Sequence, residues 1–390
     1  MNTSSRAGYR RIAMCTVAVA ALGLVLALYL GGCQNQTNSA DNIKIGAILP
    51  LTGDSASWGE QGRWGIESAV REVNESGGID GKQVEVIFED SQAIPRVAVT
   101  AFGKLSQVDK VQAVIGDIVS ATTLAMAPLA EERGVVLIAP TASAPAITKA
   151  GKYIFRVWPS DHLEGKAAAD WARSQGYKRA AVLHIANDYG AGLAEAFRVN
   201  YESGGGKVVF TQSYPQDQTD FRSNLTRVKA ELPNLVYVIG YYKHLALALK
   251  QAKEMGIDTV FLGPTAVESP DLLKIAGDAA EGLVYLTIVD FDPADPSERQ
   301  RQFINKFKAA YGKEPDWASS HAYDATLVVL ETMKSGARTG EEIRAAIDTR
   351  RVFEGVTGTI RFDENGDVVD KRVVIKTVKN GKFTVLQKAK

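Results

Sequence analysis

From residue 43 onward, short apolar runs rich in β-branched residues alternate with longer stretches whose apolar residues recur at helical spacing. The first run, residues 43–49, is stopped by Pro50. Residues 60–75 then place Trp64 and Val73, among others, at helical spacing. Strands and helices in alternation indicate a parallel sheet with helices on both faces.

The alternation runs twice along the chain, with a crossover at residues 153–159 between the two runs. The predicted strands are residues 43–49, 84–88, 113–115, 135–139, 180–185, 208–212, 236–239, 260–262 and 283–289. The predicted helices are residues 60–75, 95–108, 122–132, 163–174, 190–203, 221–232, 243–255, 298–311, 318–333 and 340–347. Short β segments follow at residues 358–362, 373–378 and 383–386. We therefore predict an α/β protein with two similar, doubly wound parallel-sheet lobes.

The N-terminus carries an export pattern. Three arginines precede an apolar run at residues 12–30, which ends in Leu30-Gly31-Gly32-Cys33. Small residues before a cleavage point suit a signal peptidase, and this ending resembles the bacterial lipobox, in which the cysteine is acylated. We predict a lipoprotein signal peptide at residues 1–32 and lipid attachment at Cys33. The alternative is an uncleaved membrane anchor, because a span needs roughly 20 apolar residues.

Both readings place the remaining chain outside the cytoplasmic membrane, as a periplasmic or extracytoplasmic protein held at the cell membrane or outer membrane. Residues 33–42 are polar and have no large apolar side chain, so we expect a flexible tether. Cys15 would leave with the signal peptide and Cys33 would carry lipid, which leaves the folded body without a disulfide.

Charge excludes one class of partner. The chain has 45 basic and 45 acidic residues, and loss of Arg6, Arg10 and Arg11 leaves 42 against 45, a net charge of about −3. No basic patch suggests nucleic acid.

The motifs of common enzyme classes are missing from the sequence. His162, His184, His244 and His321 are scattered, with no pair at zinc-ligand spacing. No cysteine is available as a nucleophile, and no Gly-x-Ser-x-Gly elbow occurs. We therefore predict no enzyme activity, no catalytic residues, no metal and no cofactor.

The loops that follow the strands are the places to look for a binding site, because ligands of parallel sheets bind beyond the carboxyl ends of the strands. Three of these loops are small and polar, at residues 52–58, 117–123 and 140–143.

Several short segments, in order and spacing, are similar to the periplasmic leucine/isoleucine/valine-binding proteins. They are IGAILPLTG at residues 45–53, NESGGIDG at 74–81, AVIG at 113–116, IAPTASAP at 138–145, NDYG at 187–190 and AYDA at 322–325. The resemblance covers residues 43–386. It implies a type I periplasmic binding protein, in which two lobes joined by a three-crossover hinge close on a ligand like a Venus flytrap.

The resemblance also implies domain limits. The N-terminal lobe would comprise residues 43–159 plus about 290–372, and the C-terminal lobe residues 160–289 plus about 373–390.

The resemblance assigns Ser120, Thr141 and Ser143 to the carboxylate and amino groups of the ligand. The residues agree with this, because Ser120 precedes a predicted helix, and a helix N-terminus favours an anion by charge and by hydrogen bonding. The alternatives are a simple N-cap for Ser120 and stabilisation of a proline-rich turn for Thr141 and Ser143.

The aromatic residues that line the family's cleft correspond to Trp58, Tyr189 and Tyr241, which sit in predicted loops or strand-to-helix turns. Such rings supply apolar contact and a face that attracts cations. The alternative is that each ring packs under its own loop. The family's bulky residue in a later segment aligns with Ala318, which would enlarge the pocket.

One departure bears on the ligand. Family members that bind leucine carry a glutamate after a Gly-Pro step, where it pairs with the ammonium group, but Gly263-Pro264 is followed here by Thr265. A hydroxyl cannot neutralise a desolvated ammonium group. Either another carboxylate such as Asp117, Glu268 or Asp324 replaces it, or the ligand is an aromatic or aliphatic acid or an amide.

The leading hypothesis is the solute-binding component of an ABC importer for an amino acid of the branched-chain type or a related small carboxylate. Its partners would be the importer's permease subunits and, through the lipid, the membrane, and we expect a monomer. The second hypothesis is a sensory ligand-binding module of the same fold with a signalling partner.

Overall fold

The structure is a computed structural model that describes residues 42–288 and 296–387. The first part of the chain alternates strands and helices. The strands are β1 (Ile43–Leu49), β2 (Val84–Asp90), β3 (Ala113–Gly116), β4 (Val136–Ala139) and β5 (Ile154–Arg156). The helices are α1 (Ala56–Glu75), α2 (Pro95–Gln107) and α3 (Ser120–Arg133), and a 3-10 turn follows at Pro145–Lys149.

The second part repeats the alternation. Its helices are α4 (Asp161–Ser174), α5 (Asp188–Ser203), α6 (Arg222–Ala230), α7 (Tyr242–Glu254) and α8 (Pro270–Ala276). Its strands are β6 (Arg179–Ile185), β7 (Lys207–Tyr214), β8 (Leu235–Ile239), β9 (Val260–Gly263) and β10 (Val284–Ile288). Two 3-10 turns lie at Thr265–Val267 and Gly277–Ala280.

The last part begins with helices and ends with strands. The helices are α9 (Glu298–Tyr311), α10 (Trp317–Lys334) and α11 (Gly340–Arg350). The strands are β11 (Val352–Gly355), β12 (Gly358–Phe362), β13 (Val368–Val369), β14 (Val373–Lys379) and β15 (Lys382–Gln387). None of the helices within the described residues is long and apolar enough to cross a membrane.

Two sheets form the centres of two lobes and share one strand order. The five-stranded sheet runs β2-β1-β3-β4-β5, and every pairing in it is parallel. The seven-stranded sheet contains β7-β6-β8-β9-β10 in the same relative order, followed by β14 and β15. Strands β3, β4 and β8 are buried along their whole length, as expected where helices cover both faces.

The doubly wound parallel arrangement predicted from the sequence is confirmed for β1 to β10, whereas β14 and β15 are antiparallel to their neighbours. A parallel connection needs a crossover of a dozen or more residues. Only Asn380 and Gly381 separate β14 from β15, and both have positive φ angles, as a tight hairpin turn requires.

Other differences concern short elements. Strands β5, β11 and β13 and helix α8 were not predicted, and β5 occupies part of the predicted crossover. Helix α1 begins at Ala56 and not at residue 60, so Trp58 lies in its first turn and not in a loop. Gly65 allows α1 to approach α10, because a Cβ there would lie 2.1 Å from the Ser319 carbonyl oxygen.

A buried guanidinium joins three separate segments. The Nε and Nη2 atoms of Arg156 donate to the two carboxylate oxygens of Asp367 at 2.7 and 2.6 Å. Its Nη1 atom donates to the carbonyl oxygens of Ser143 and Ala144 at 3.0 and 2.9 Å, and Nη2 also donates to Thr148. Strand β5, the loop after β4 and the segment after β12 are thereby fixed together.

We expect Arg156→Met to lower the free energy of unfolding by about 3–5 kcal/mol, because Asp367 is left buried without its cation. Urea titration at neutral pH measures this. The control is Arg198→Met, which removes an exposed ion pair on α5 and should have little effect. Equal effects of the two substitutions would contradict the prediction.

Candidate functional site

A pocket lies between the two lobes. Elements of the first sheet contribute Trp58, Ile118, Val119, Ser120, Thr141 and Ser143 to its wall. Elements of the second sheet contribute Glu164, Tyr189, Tyr241, Thr265 and Ala266. Two further tryptophans complete it, Trp158 just after β5 and Trp317 at the start of α10.

The polar lining follows from the topology. Ser120 opens α3 after β3, Thr141 and Ser143 follow β4, Tyr241 follows β8 and Thr265 follows β9. In a parallel sheet these carboxyl ends share one edge, so side chains far apart in sequence meet there. The carboxyl ends of the strands of both sheets face the pocket, so loops of both sheets contribute residues to its wall.

Hydroxyl groups and a helix N-terminus form one side of the pocket. Ser120 is the first residue of α3, after the N-cap Val119, and its Oγ atom accepts from the backbone N–H groups of Ser143 and Ala144, each at 3.1 Å. Thr141 donates its hydroxyl to the carbonyl oxygen of Ile118 at 3.2 Å. The first N–H groups of a helix have no intrahelical partner and carry partial positive charge, so this side suits an anion.

Aromatic rings form a second side. The ring of Trp58 contacts that of Tyr241 at 5.2 Å and that of Trp317 at 5.6 Å between centroids, edge to face in both cases. Tyr241 also stacks on Tyr189 with an interplanar angle of 4°. Burial raises the pKa of Tyr241 to about 12 and that of Tyr189 well above its ordinary value, so both phenols stay neutral near neutral pH.

An acidic turn forms a third side. The backbone N–H of Thr265 donates to Oε1 of Glu164 at 3.0 Å, and the Thr265 hydroxyl lies 3.2 Å from Oε2. Asp161, three residues earlier in the same first turn of α4, is also buried, and neither of its carboxylate oxygens makes a hydrogen bond of ordinary geometry. Burial raises the pKa of both carboxyls, and the charge of Asp161 raises the pKa of Glu164 further.

The three carboxylates suggested as replacements for the missing glutamate have other partners and lie outside the wall of the pocket. Asp117 is fully buried and accepts from the backbone N–H groups of Ile118 and Val119. Asp324 binds the turn after β11 through Val356 and Thr357. Glu268 forms an ion pair with Lys376 at 2.7 Å.

Six residues of the wall were not among the predicted site residues, namely Ile118, Val119, Trp158, Glu164, Ala266 and Trp317. Trp317 is the neighbour of Ala318, where a small residue suggested a larger pocket, and its ring occupies that side instead. Glu164 stands five positions after the end of the predicted crossover at residue 159, and its closeness to the hinge was the one available signal.

Contacts across the cleft hold the lobes together around this pocket. Lys243 of α7 pairs with Asp54 at 3.2 Å, and the Tyr242 hydroxyl donates to the Asp54 carbonyl oxygen at 3.4 Å. The indole N–H of Trp317 points to the Glu268 carbonyl oxygen at 3.5 Å. Among the described residues, no group of three or more His, Cys, Asp or Glu side chains could hold a metal ion.

Comparisons with known proteins agree with the fold. A family model described as "Periplasmic binding protein" matches residues 42–382. The leucine-, isoleucine-, valine-, threonine-, and alanine-binding protein of Pseudomonas aeruginosa is 32% identical over 367 residues, which are 93% of this chain and 94% of that protein.

Two solved structures are similar in fold and sequence. The branched-chain amino acid transporter substrate binding protein of Streptococcus pneumoniae, in complex with isoleucine, has a TM-score of 0.81 and 30% identity, over 90% of this chain and 100% of that chain. An ABC-transporter solute binding protein of Rhodopseudomonas palustris, in complex with 3,4-dihydroxybenzoic acid, has a TM-score of 0.79 and 29% identity, over 90% and 97%. The prediction of a binding protein rather than an enzyme is confirmed by these relationships, and the chain belongs to the periplasmic binding protein family.

Proposed function

We propose that this protein is the extracytoplasmic solute-binding component of an ABC importer, and that it binds an amino acid of the branched-chain type, or a related small carboxylate, between two lobes that close on it. The observation that carries the proposal is the pocket, which takes residues from both lobes and combines a helix N-terminus with an aromatic wall. The ligands named for the similar proteins from Pseudomonas aeruginosa and Streptococcus pneumoniae support it. Its protein partners would be the permease subunits, and we expect a monomer.

The site residues divide into two proposed roles. Ser120, Thr141 and Ser143 would bind the carboxylate and amino groups of the ligand, because they line the pocket at the N-terminal end of α3. Trp58, Tyr189 and Tyr241 would contact its apolar part. Thr265 would act through Glu164, to which it is hydrogen-bonded, and Asp117 would act only by shaping the loop before α3.

The two lobes would divide as the sequence suggests. The first sheet lies within residues 43–159, and the second within residues 160–289 and 373–390. We propose that the part from about 290 to 372 belongs with the first lobe, which the contact of α10 with α1 supports.

Aromatic acids are a second candidate class of ligand, because three tryptophans line the pocket and a 29% identical protein has 3,4-dihydroxybenzoic acid bound. A sensory module with a signalling partner is a further alternative, and permease and ATPase genes next to this one would argue against it.

The test of the proposal is a thermal-shift and calorimetric screen of the chain from Asn42 onward. The panel contains branched-chain and small amino acids, hydroxybenzoates, short aliphatic acids and amides. A ligand at 100 times its dissociation constant should stabilise the protein by about 2.7 kcal/mol. Small-angle scattering with the bound compound should show a compact closed form. Absence of binding by the whole panel would contradict the proposal.

Trp58→Ala should weaken ligand binding by about tenfold or more, because each lost aromatic pair is worth roughly 0.5–1.5 kcal/mol in addition to buried area. Titration calorimetry with the best ligand of the screen measures this. The control is Trp64→Ala, since Trp64 stacks on Tyr311 away from the pocket. If both variants bind equally well, Trp58 is not part of the site.

The predicted anchor at Cys33 lies outside the described residues, as do the signal peptide, the tether up to residue 41 and the alternative membrane span. We propose that Cys33 carries lipid. Cys33→Ser should abolish metabolic labelling with radioactive palmitate, because the thiol that accepts the acyl group is gone. Labelling that persists in the variant would contradict the proposal, and Cys15→Ser serves as the control.

A further inference from the structure

The Glu164 carboxyl is buried in the wall of the pocket and pairs with none of the cationic side chains among residues 42–288 and 296–387. Its side chain is only 4% exposed. Asp161, on the same turn of α4, is 1% exposed. The positive charge of Arg156 acts on Asp161, but the guanidinium group itself is hydrogen-bonded to Asp367. Two carboxyls are therefore withdrawn from water in one place, and the guanidinium of Arg156, whose charge acts on Asp161, is already paired with Asp367.

Thr265 fixes the direction of this carboxyl. Its N–H and hydroxyl each approach a different oxygen of Glu164, at 3.0 and 3.2 Å, and its hydroxyl also lies 3.0 Å from the carbonyl oxygen of Leu286. A carboxylate can accept about four hydrogen bonds, two at each oxygen. Thr265 therefore leaves acceptor positions free on both oxygens of a group that lines the pocket.

We propose that the Glu164 carboxylate binds the ammonium group of the ligand, and that it selects amino acids over acids that lack an amino group. The inference rests on the proposed function, and it names which of the candidate ligand classes the pocket takes. A carboxylate so deeply buried is costly unless a cation or a proton neutralises it. An anionic benzoate would bring a negative charge next to this carboxyl, whereas an ammonium group would stabilise its ionised form.

The acidic turn and the hydroxyl groups are neighbours, which specifies the ligand further. Ser143 donates its N–H to Ser120 Oγ at 3.1 Å and accepts from the N–H of Asp161 at 2.9 Å. One residue thus separates the anion-binding side from the turn that carries Glu164. This adjacency suits an α-amino acid, in which the ammonium and the carboxylate are attached to the same carbon.

The test removes the charge from the protein and the amino group from the ligand, separately and together. Titration calorimetry is carried out on the wild type and on Glu164→Gln. The probes are the amino acid that binds most tightly among leucine, isoleucine, valine, threonine and alanine, and the same molecule with its amino group replaced by hydrogen. For leucine this second probe is 4-methylpentanoate.

We expect Glu164→Gln to weaken binding of the amino acid by about 100-fold or more, since an ammonium group loses its partner in a buried site. Binding of the deamino acid should stay within about threefold or become tighter, because the repulsion of its carboxylate by Glu164 is gone. Asp170→Asn, on the exposed face of the same helix, should change neither affinity.

The stability of the variant is an independent check on its folding. The titratable groups that interact with Glu164 are Asp161 of the same helix, Tyr189 of α5 and Tyr237 of β8. Burial raises the pKa of Asp161, and the charge of Arg156 lowers it in part. Burial and the charge of Asp161 raise the pKa of Glu164 to about 8 in the folded protein. The wild type without ligand therefore loses stability as the pH rises from the ordinary glutamate value of 4.5 to about 8. Glu164→Gln should lose less stability over the same range, and its unfolding is followed by circular dichroism.

The outcomes separate the inference from the proposed function. Equal weakening of both probes, or unchanged binding of the amino acid, overturns the role of Glu164 while the binding function stands. Binding of benzoates alone by the wild type also overturns it and keeps the broader function. Binding of no small acid or amino acid overturns both.

Discussion

The structure around the pocket depends on the buried guanidinium of Arg156. This group belongs to β5, it is paired with Asp367, and it binds the carbonyl oxygens of Ser143 and Ala144. The loop held in this way binds Ser120 through two N–H groups and accepts from the N–H of Asp161. A single charged side chain therefore fixes the hydroxyl side and the acidic side of the pocket relative to each other, although it touches neither the solvent nor the pocket itself.

The sequence was informative wherever one helix or strand is long enough to show its own period. The first strand was predicted with the bounds that the structure gives, residues 43–49, because seven consecutive residues fit a buried strand before Pro50. Strand β5 has only three residues, and β13 has two, so neither can show an alternation. Helix α1 begins four residues before its predicted start. The prediction missed its first turn because Ser55 and Ala56 belong to a glycine- and serine-containing stretch that is also typical of a loop.

For the site, the sequence predicted the residues whose position is set by the topology and missed those that depend on long-range packing. Ser120, Thr141 and Tyr241 follow strands, so the rule about carboxyl ends places them. Glu164 lies in the first turn of α4, where an acidic residue is expected for the helix dipole alone. Its contact with Thr265 joins residues 101 positions apart, which no local pattern reveals.

The electrostatics of the pocket bear on how the lobes close. Moving Glu164 and Asp161 out of water costs free energy unless each is protonated or paired, and burial accordingly raises the pKa of both. A closed form that contains no cation must therefore take up protons. If Glu164 binds the ammonium group as proposed, a ligand with both an ammonium and a carboxylate group would contact both lobes at once, because the hydroxyl side comes from the first lobe and Glu164 from the second. Closure would then be coupled to the charge of the ligand, since a ligand shifts an open protein toward its closed form only through a higher affinity for that form.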